Sequence, residues 1–231
     1  MFLHPCFTEK EIRIFKMNLF ITVTQSLLEG LWTTFKIFSL TLLAALPLGL
    51  IISFGSMSKF KVIKWPIKTL IWIIRGTPLM LQLVVFGFGP GLIGIDGMST
   101  FVAVMLAFIL NYSSYFSEIF RGGIESIPKG QYEAGQVLGM SKNQIFFHIV
   151  LKQVIKRIVP PMSNEFLTLV KDTSLANTIM IYEITWNAKR FMNSEHILWP
   201  LFYSGLFYLA FCGILTLIFG YIEKKLDYYK G

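Results

Sequence analysis

Five apolar blocks, each near the length of a membrane-crossing helix, divide this chain. They leave little sequence from which to build a large water-soluble core. The blocks cover approximately residues 37–54, 65–88, 98–119, 154–181 and 197–221. A helix needs about 20 mostly apolar residues to cross roughly 30 Å of hydrocarbon. Only the third and fifth blocks are clean. The first holds Pro47 and Gly49, the second Arg75 and the Gly76-Thr77-Pro78 break, and the fourth Glu165, Lys171 and Asp172. Hydropathy alone would therefore mark three or four spans. Composition agrees: 15% of the chain is charged, against about 25% in a soluble domain. The expected fold is all-α, a polytopic membrane protein of about five transmembrane helices. Residues 1–36 form an N-terminal extension with an interfacial segment, 37–225 one membrane domain, and 226–231 a cytosolic tail.

The net charge of +8 does not indicate a nucleic-acid partner. Lys59, Lys61, Lys64 and Lys68 follow the first block. Arg121, Lys129, Lys142, Lys152, Lys156 and Arg157 lie between the third and fourth, and Lys224, Lys225 and Lys230 follow the fifth. The other loops are poorer in base: 89–97 has only Asp96, and 182–196 sets Lys189 and Arg190 against Glu183 and Glu195. Basic loops stay in the cytosol, which puts the N-terminus outside and the C-terminus inside. Lys10, Arg13 and Lys16 resist this, being only partly offset by Glu9 and Glu11. Translation from Met17 rather than Met1 would remove them. The stretch 18–35 is amphipathic enough to lie along the outer interface, turning inward near Lys36.

Several chemistries have no residues to support them. Cys6 and Cys212 make no disulfide or metal framework, and His4, His148 and His196 are scattered, with His148 placed at the interface. No Gly-x-x-x-x-Gly-Lys-Ser/Thr run exists to cradle a nucleotide phosphate. No internal repeat is visible, which counts against transporters built from inverted repeats.

One loop carries a specific pattern. Glu133-Ala134-Gly135, then Gly139, then Ile149 and Leu151 match five of seven fixed positions of a motif written Glu-Ala-Ala, three residues, Gly, nine residues, Ile, any, Leu-Pro. Gly135 replaces the second Ala and Lys152 the Pro. This resembles the coupling loop of ATP-binding-cassette importer permeases. Arg75-Gly76-Thr77-Pro78-Leu79, Glu118-Ile119-Phe120-Arg121-Gly122-Gly123, Ser126-Ile127-Pro128-Lys129-Gly130-Gln131 and the run from Asn164 to Leu175 resemble the polar-amino-acid branch, which includes histidine, glutamine and arginine permeases. The resemblance spans roughly 27–225 and implies a type I importer fold. It implies cytosolic coupling helices within 120–153 and an ATPase contact at Glu133, Ala134, Gly135 and Gly139. It also implies that ATP and Mg are bound by a separate ATPase, present in two copies. A second permease copy or a homologue, an extracytoplasmic amino-acid-binding protein and membrane lipids complete the set of partners. The chain itself is then no enzyme and has no catalytic residue. From the residues alone, Pro128 starts a helix, and Gly135 and Gly139, four apart, share one helix face. Such a face fits either close approach by another surface or a bend in an ordinary loop.

The fourth block carries the substrate candidates. Glu165 and Asp172 are seven apart and so share a helix face. Asn164 and Lys171 repeat that spacing beside them. A charge at mid-membrane costs at least about 2.5–3.5 kcal/mol and so normally meets a partner or a watery cavity. Glu165 and Asp172 either line a pathway or pair internally with Lys171 or Arg75. Asn111 is open between substrate ligand and interhelical bond, while Ser113 and Ser114 fit ordinary membrane-helix packing. The Arg75–Pro78 break is a kink or unwound turn, with gating and plain structure both open. Glu118 and Arg121, three apart, can pair. An ion-coupled transporter using Glu165 or Asp172 is the rival function, and a non-transporting assembly subunit the second. The sequence names neither the amino acid nor the choice between homodimer and heterodimer.

Overall fold

The computed structural model describes residues 9–94 and 98–226. Residues 1–8 of the extension, Asp96 in the 89–97 loop and residues 227–231 of the tail lie outside the described residues. Every regular element described is helical. In chain order they are α1 (Glu9–Ser56), α2 (Lys61–Gly76), α3 (Leu79–Leu92), α4 (Thr100–Glu125), α5 (Lys129–Val137), α6 (Lys142–Gln144), a π-helical turn (Ile145–Val150), α7 (Leu151–Asp172), a 3₁₀ segment (Thr173–Ile179), α8 (Ile184–Glu195) and α9 (Trp199–Leu226).

Three stretches are long and apolar enough to cross a membrane: Arg13–Ser56, Thr100–Glu125 and Trp199–Leu226. The pair α2 and α3 makes a fourth if counted as one broken span, but it bends by 102°. The expected second span is therefore not straight. Pro78, with no amide hydrogen, sits at the start of α3, where that absence is tolerated. α7 does not qualify by composition, because its 22 residues include Pro160, Pro161 and the charged residues named above. The expected span 154–181 ends as an α-helix at Asp172. It continues as 3₁₀ to Ile179 and stops where Met180 takes φ 65°.

The N-terminal region also departs from expectation. The chain does not turn near Lys36; α1 runs unbroken for 48 residues, Pro47 included, roughly 70 Å at 1.5 Å per residue. Its continuity comes from packing along α4. Gly49 permits the approach: a Cβ there would lie 2.9 Å from Phe116 Cβ and 3.0 Å from Ser113 O. Small residues at such crossings let backbones close up where no hydrophobic force drives helices together. The main core joins Ile37 and Phe38 of α1, Leu83 of α3, Phe108, Tyr112 and Phe116 of α4, and Leu169 and Val170 of α7. Leu43, Ile51, Phe202 and Leu217 stay exposed on the outside of the chain.

Candidate substrate cavity and coupling arm

The α2–α3 corner, α4 and α7 enclose a cavity of about 500 Å³. It is lined by Arg75, Gly76, Thr77, Pro78, Leu79, Asn111, Tyr112, Tyr115, Glu165, Thr168, Asp172 and Leu175. All three substrate candidates, Asn111, Glu165 and Asp172, thus reach one space. Glu165 and Asp172 are half-buried, while Asn164 and Lys171 on the adjacent face are exposed. Asp172 Oδ2 accepts a hydrogen bond from the Tyr112 hydroxyl at 2.8 Å. No described residue hydrogen-bonds Glu165. The ion pairs among the described residues involve neither carboxylate. Arg75 and Lys171, the internal partners left open by the sequence, act on Glu165 and Asp172 electrostatically without closing to ion-pair distance among the described residues.

Arg75 engages other groups. Its Nη1 lies 3.6 Å from Glu118 Oε2, and its guanidinium stands 5.0 Å over the Tyr115 ring, a cation–π geometry. It also borders a second cavity of about 430 Å³ with Lys68, Trp72, Glu118 and Arg121. Glu118 and Arg121 pair as their spacing foresaw, through bonds of 3.0 and 2.7 Å. Arg121 reaches Glu125 at 2.5 Å as well.

Asn111 is almost fully buried, and its amide donates to Gln82 Oε1 at 3.0 Å. Gln82 Nε2 in turn reaches Ile74 O at 2.9 Å, Thr77 O at 3.2 Å and Thr77 Oγ1 at 2.9 Å. The Ile74 and Thr77 carbonyls at the break thereby gain a donor, the kind of partner that irregular backbone at membrane depth needs. Asn111 therefore makes the interhelical bond while also bordering the cavity. Neither Gln82 nor Tyr112 was a site candidate in the sequence. A lone amide within the apolar run of α3 was the available signal for Gln82.

The coupling arm follows α4. Glu133 and Ala134 are exposed, as are Val137 at 88% and Leu138 at 76%. Gly135 is buried within the chain: a Cβ there would lie 2.6 Å from Ile145 Cγ1. Gly139 lies past the end of α5 at φ +71°, a left-handed conformation that glycine adopts freely. Gly139 N–H bonds to Gln136 O at 2.9 Å, and Met140 N–H to Gly135 O at 3.0 Å, closing the helix end. The two glycines therefore do not share a helix face. One seats Ile145 and the other stops the helix. Ser141 and Gln144 then form a capping box, which starts the arm's return to α7. Gln153 Nε2 bonds Gln131 Oε1 at 3.1 Å, and Arg157 donates to Ser126 O, so the arm is tied to α7.

A further acidic site escaped the sequence reading. Glu183 is fully buried, not a solvated loop charge. It caps α8 by accepting from Thr185 N and Trp186 N, each at 2.7 Å, and from Tyr208 of α9 at 2.7 Å. Beside it, Asn187 Nδ2 donates to Ser26 O of α1 at 2.7 Å.

With this geometry in view, comparison with known proteins is informative. The family model "binding-protein-dependent transport system inner membrane component" matches residues 45–228. The chain belongs to this family. It is a membrane component of an ATP-binding-cassette importer and is not itself an enzyme, since ATP hydrolysis lies in a separate subunit. Among its relatives, the L-cystine transport system permease protein TcyB of Bacillus subtilis (strain 168) is 35% identical over 204 residues, 87% of this chain and 86% of the relative. The arginine transport system permease protein ArtQ of the same organism is 36% identical over 202 residues, 87% and 92% of the two chains. A crystal structure of an amino acid ABC transporter with histidines superposes with TM-score 0.82 at 28% identity, over 89% of this chain and 96% of that one. The inward-facing MetNI methionine ABC transporter reaches TM-score 0.64 at 13% identity, over 91% and 98%, and supports the fold alone. The expected type I importer architecture is thus found, as a multi-pass membrane protein.

Proposed function

We propose that this chain moves a polar or charged amino acid inward across the cytoplasmic membrane, through the cavity between the α2–α3 corner, α4 and α7. The observation that carries this is the placing of Arg75, Glu165 and Asp172 around one space of about 500 Å³, within the roughly 300–1,000 Å³ of small-molecule sites. An amino acid brings one carboxylate and one ammonium. A guanidinium and two carboxylates free of ion pairing with one another answer both ends. Asn111 adds an amide already held in place by Gln82.

The rest of the machine follows from the arm. Glu133 and Ala134, with exposed Val137 and Leu138, offer a mixed charged and apolar knob to an ATPase that binds ATP and Mg. Gly135, buried against Ile145, shapes the knob from within, and exposed Gly139 stands with Glu133 and Ala134 on the face offered to the ATPase. Two ATPase copies, a second permease copy or homologue, and an extracytoplasmic amino-acid-binding protein complete the complex. The N-terminus lies outside and the C-terminus in the cytosol, as the basic loops require.

Two measurements test this. A tagged copy purified in detergent should bring down an ATPase and a second permease copy or homologue, identified by mass. Glu133→Lys should insert normally yet lose amino-acid uptake and ATPase recovery. Wild-type uptake and recovery in that variant would overturn the coupling role. Failure of the wild-type complex to take up any amino acid would overturn the substrate class.

A further inference from the structure

The turn joining α1 to α2 holds a further concave site, away from the substrate cavity. Its volume is about 630 Å³, and Lys59, Lys61, Lys64, Lys68, Trp65 and Trp72 line it. Among the described residues no carboxylate lines it. None of its four lysines enters an ion pair among the described residues. Lys68 also borders the cavity that holds Glu118, so Lys59, Lys61 and Lys64 supply the uncommitted charge.

The setting of α2 says what kind of anion this is. α2 and α3 meet at 102°, so both cannot follow the membrane normal. α3 is apolar apart from Gln82, whereas α2 carries three lysines and buries only Ile71 and Ile74. Its lysines make α2, rather than α3, the helix suited to incline toward the membrane surface. Trp65 and Trp72, seven residues apart, are 68% and 75% exposed, and Phe60 and Val62 beside them 72% and 86%. Lysine heads with exposed tryptophan belong at the level of lipid headgroups. A soluble phosphate would match the lysines but leave this apolar rim in water.

We propose that the α1–α2 corner binds the phosphate of an anionic phospholipid, its acyl chains lying along the Phe60, Val62 and Trp72 surface. Basic pockets between membrane helices take such headgroups. The bound lipid would neutralise Lys59, Lys61 and Lys64, which enter no ion pair among the described residues.

The test uses the full-length protein purified with its ATPase. Native mass spectrometry would follow retention of phosphatidylglycerol against phosphatidylcholine during stepwise delipidation. The wild type should keep phosphatidylglycerol preferentially. The triple variant Lys59→Gln/Lys61→Gln/Lys64→Gln should bind it on the order of 100-fold more weakly, and the matching Arg triple should restore binding. These side chains are exposed or half-exposed and outside the substrate cavity, so thermal unfolding without added lipid should be unchanged. Equal retention of both lipids by the wild type, or wild-type retention by the Gln triple, would overturn the proposal. So would inorganic phosphate displacing phosphatidylglycerol at equal concentration, which would make the site one for free phosphate.

Discussion

Glu183 and the pair Glu165 and Asp172 are acidic residues in similar company, yet they are treated in opposite ways. Glu183 has no exposed surface and three close donors: two backbone amides of α8 and the Tyr208 hydroxyl. Glu165 has no hydrogen bond among the described residues, and Asp172 has one, from Tyr112. A buried carboxylate is tolerated when its lone pairs are filled. Glu183 meets that condition from within the chain and so holds α8 to α9. Glu165 and Asp172 meet it only by facing a cavity, which leaves their capacity for a ligand. In a membrane protein, the number of donors already engaged separates a structural acid from one available for work better than burial does.

The sharpest break in that contrast would come from Glu183→Ala. It removes the α8 cap and leaves the Tyr208 hydroxyl with Thr185 Oγ1, 3.1 Å away, as its remaining partner, so unfolding should be eased by about 2–4 kcal/mol. Thermal unfolding in detergent reads this, and Glu183→Gln, which can still accept, should lose less. Unchanged melting of the Ala variant would erase the distinction. Tyr208→Phe should follow at about 1–2 kcal/mol, with substrate preference among amino acids unaltered. Asp172→Asn keeps an acceptor for Tyr112, so melting should move by less than about 1 kcal/mol. Substrate affinity in uptake assays should nonetheless fall about tenfold or more, as loss of a charged hydrogen bond implies. The smallest stability effect belongs to Glu165→Gln, within about 0.5 kcal/mol, again with changed preference across an amino-acid panel. A variant of either cavity residue that melted early with unchanged preference would place it with Glu183.

The sequence makes much of the frame legible. Apolar length marks α4 and α9 because a bilayer demands it. The same-face spacing of Glu165 and Asp172 foresees that both reach one cavity. The Glu118–Arg121 pair is local and so readable. Glu183 was not readable as buried, because its burial depends on Ser26 to Gly30 of α1 and Tyr208 of α9 converging from far along the chain. In the sequence it is one charge in a mixed loop. Gly135 and Gly139 misled for the opposite reason. Helical periodicity was extended past Val137, where the helix ends, and a left-handed residue was counted as helical. The unbroken run of α1 past Lys36 likewise reflects packing along α4, which no local signal at Lys36 records.

The π-helical turn between the coupling arm and α7 has a consequence in angle rather than in distance. A π turn accommodates an extra residue relative to uninterrupted α-helix, and one residue is about 100° of rotation. Ile145–Val150 therefore sets the rotational phase of everything after it. Were those six residues wound as plain α-helix, the stripe bearing Glu165 and Asp172 would point about 100° away from the cavity. The turn acts as a fixed dial between the arm proposed to meet the ATPase and the acids that line the cavity.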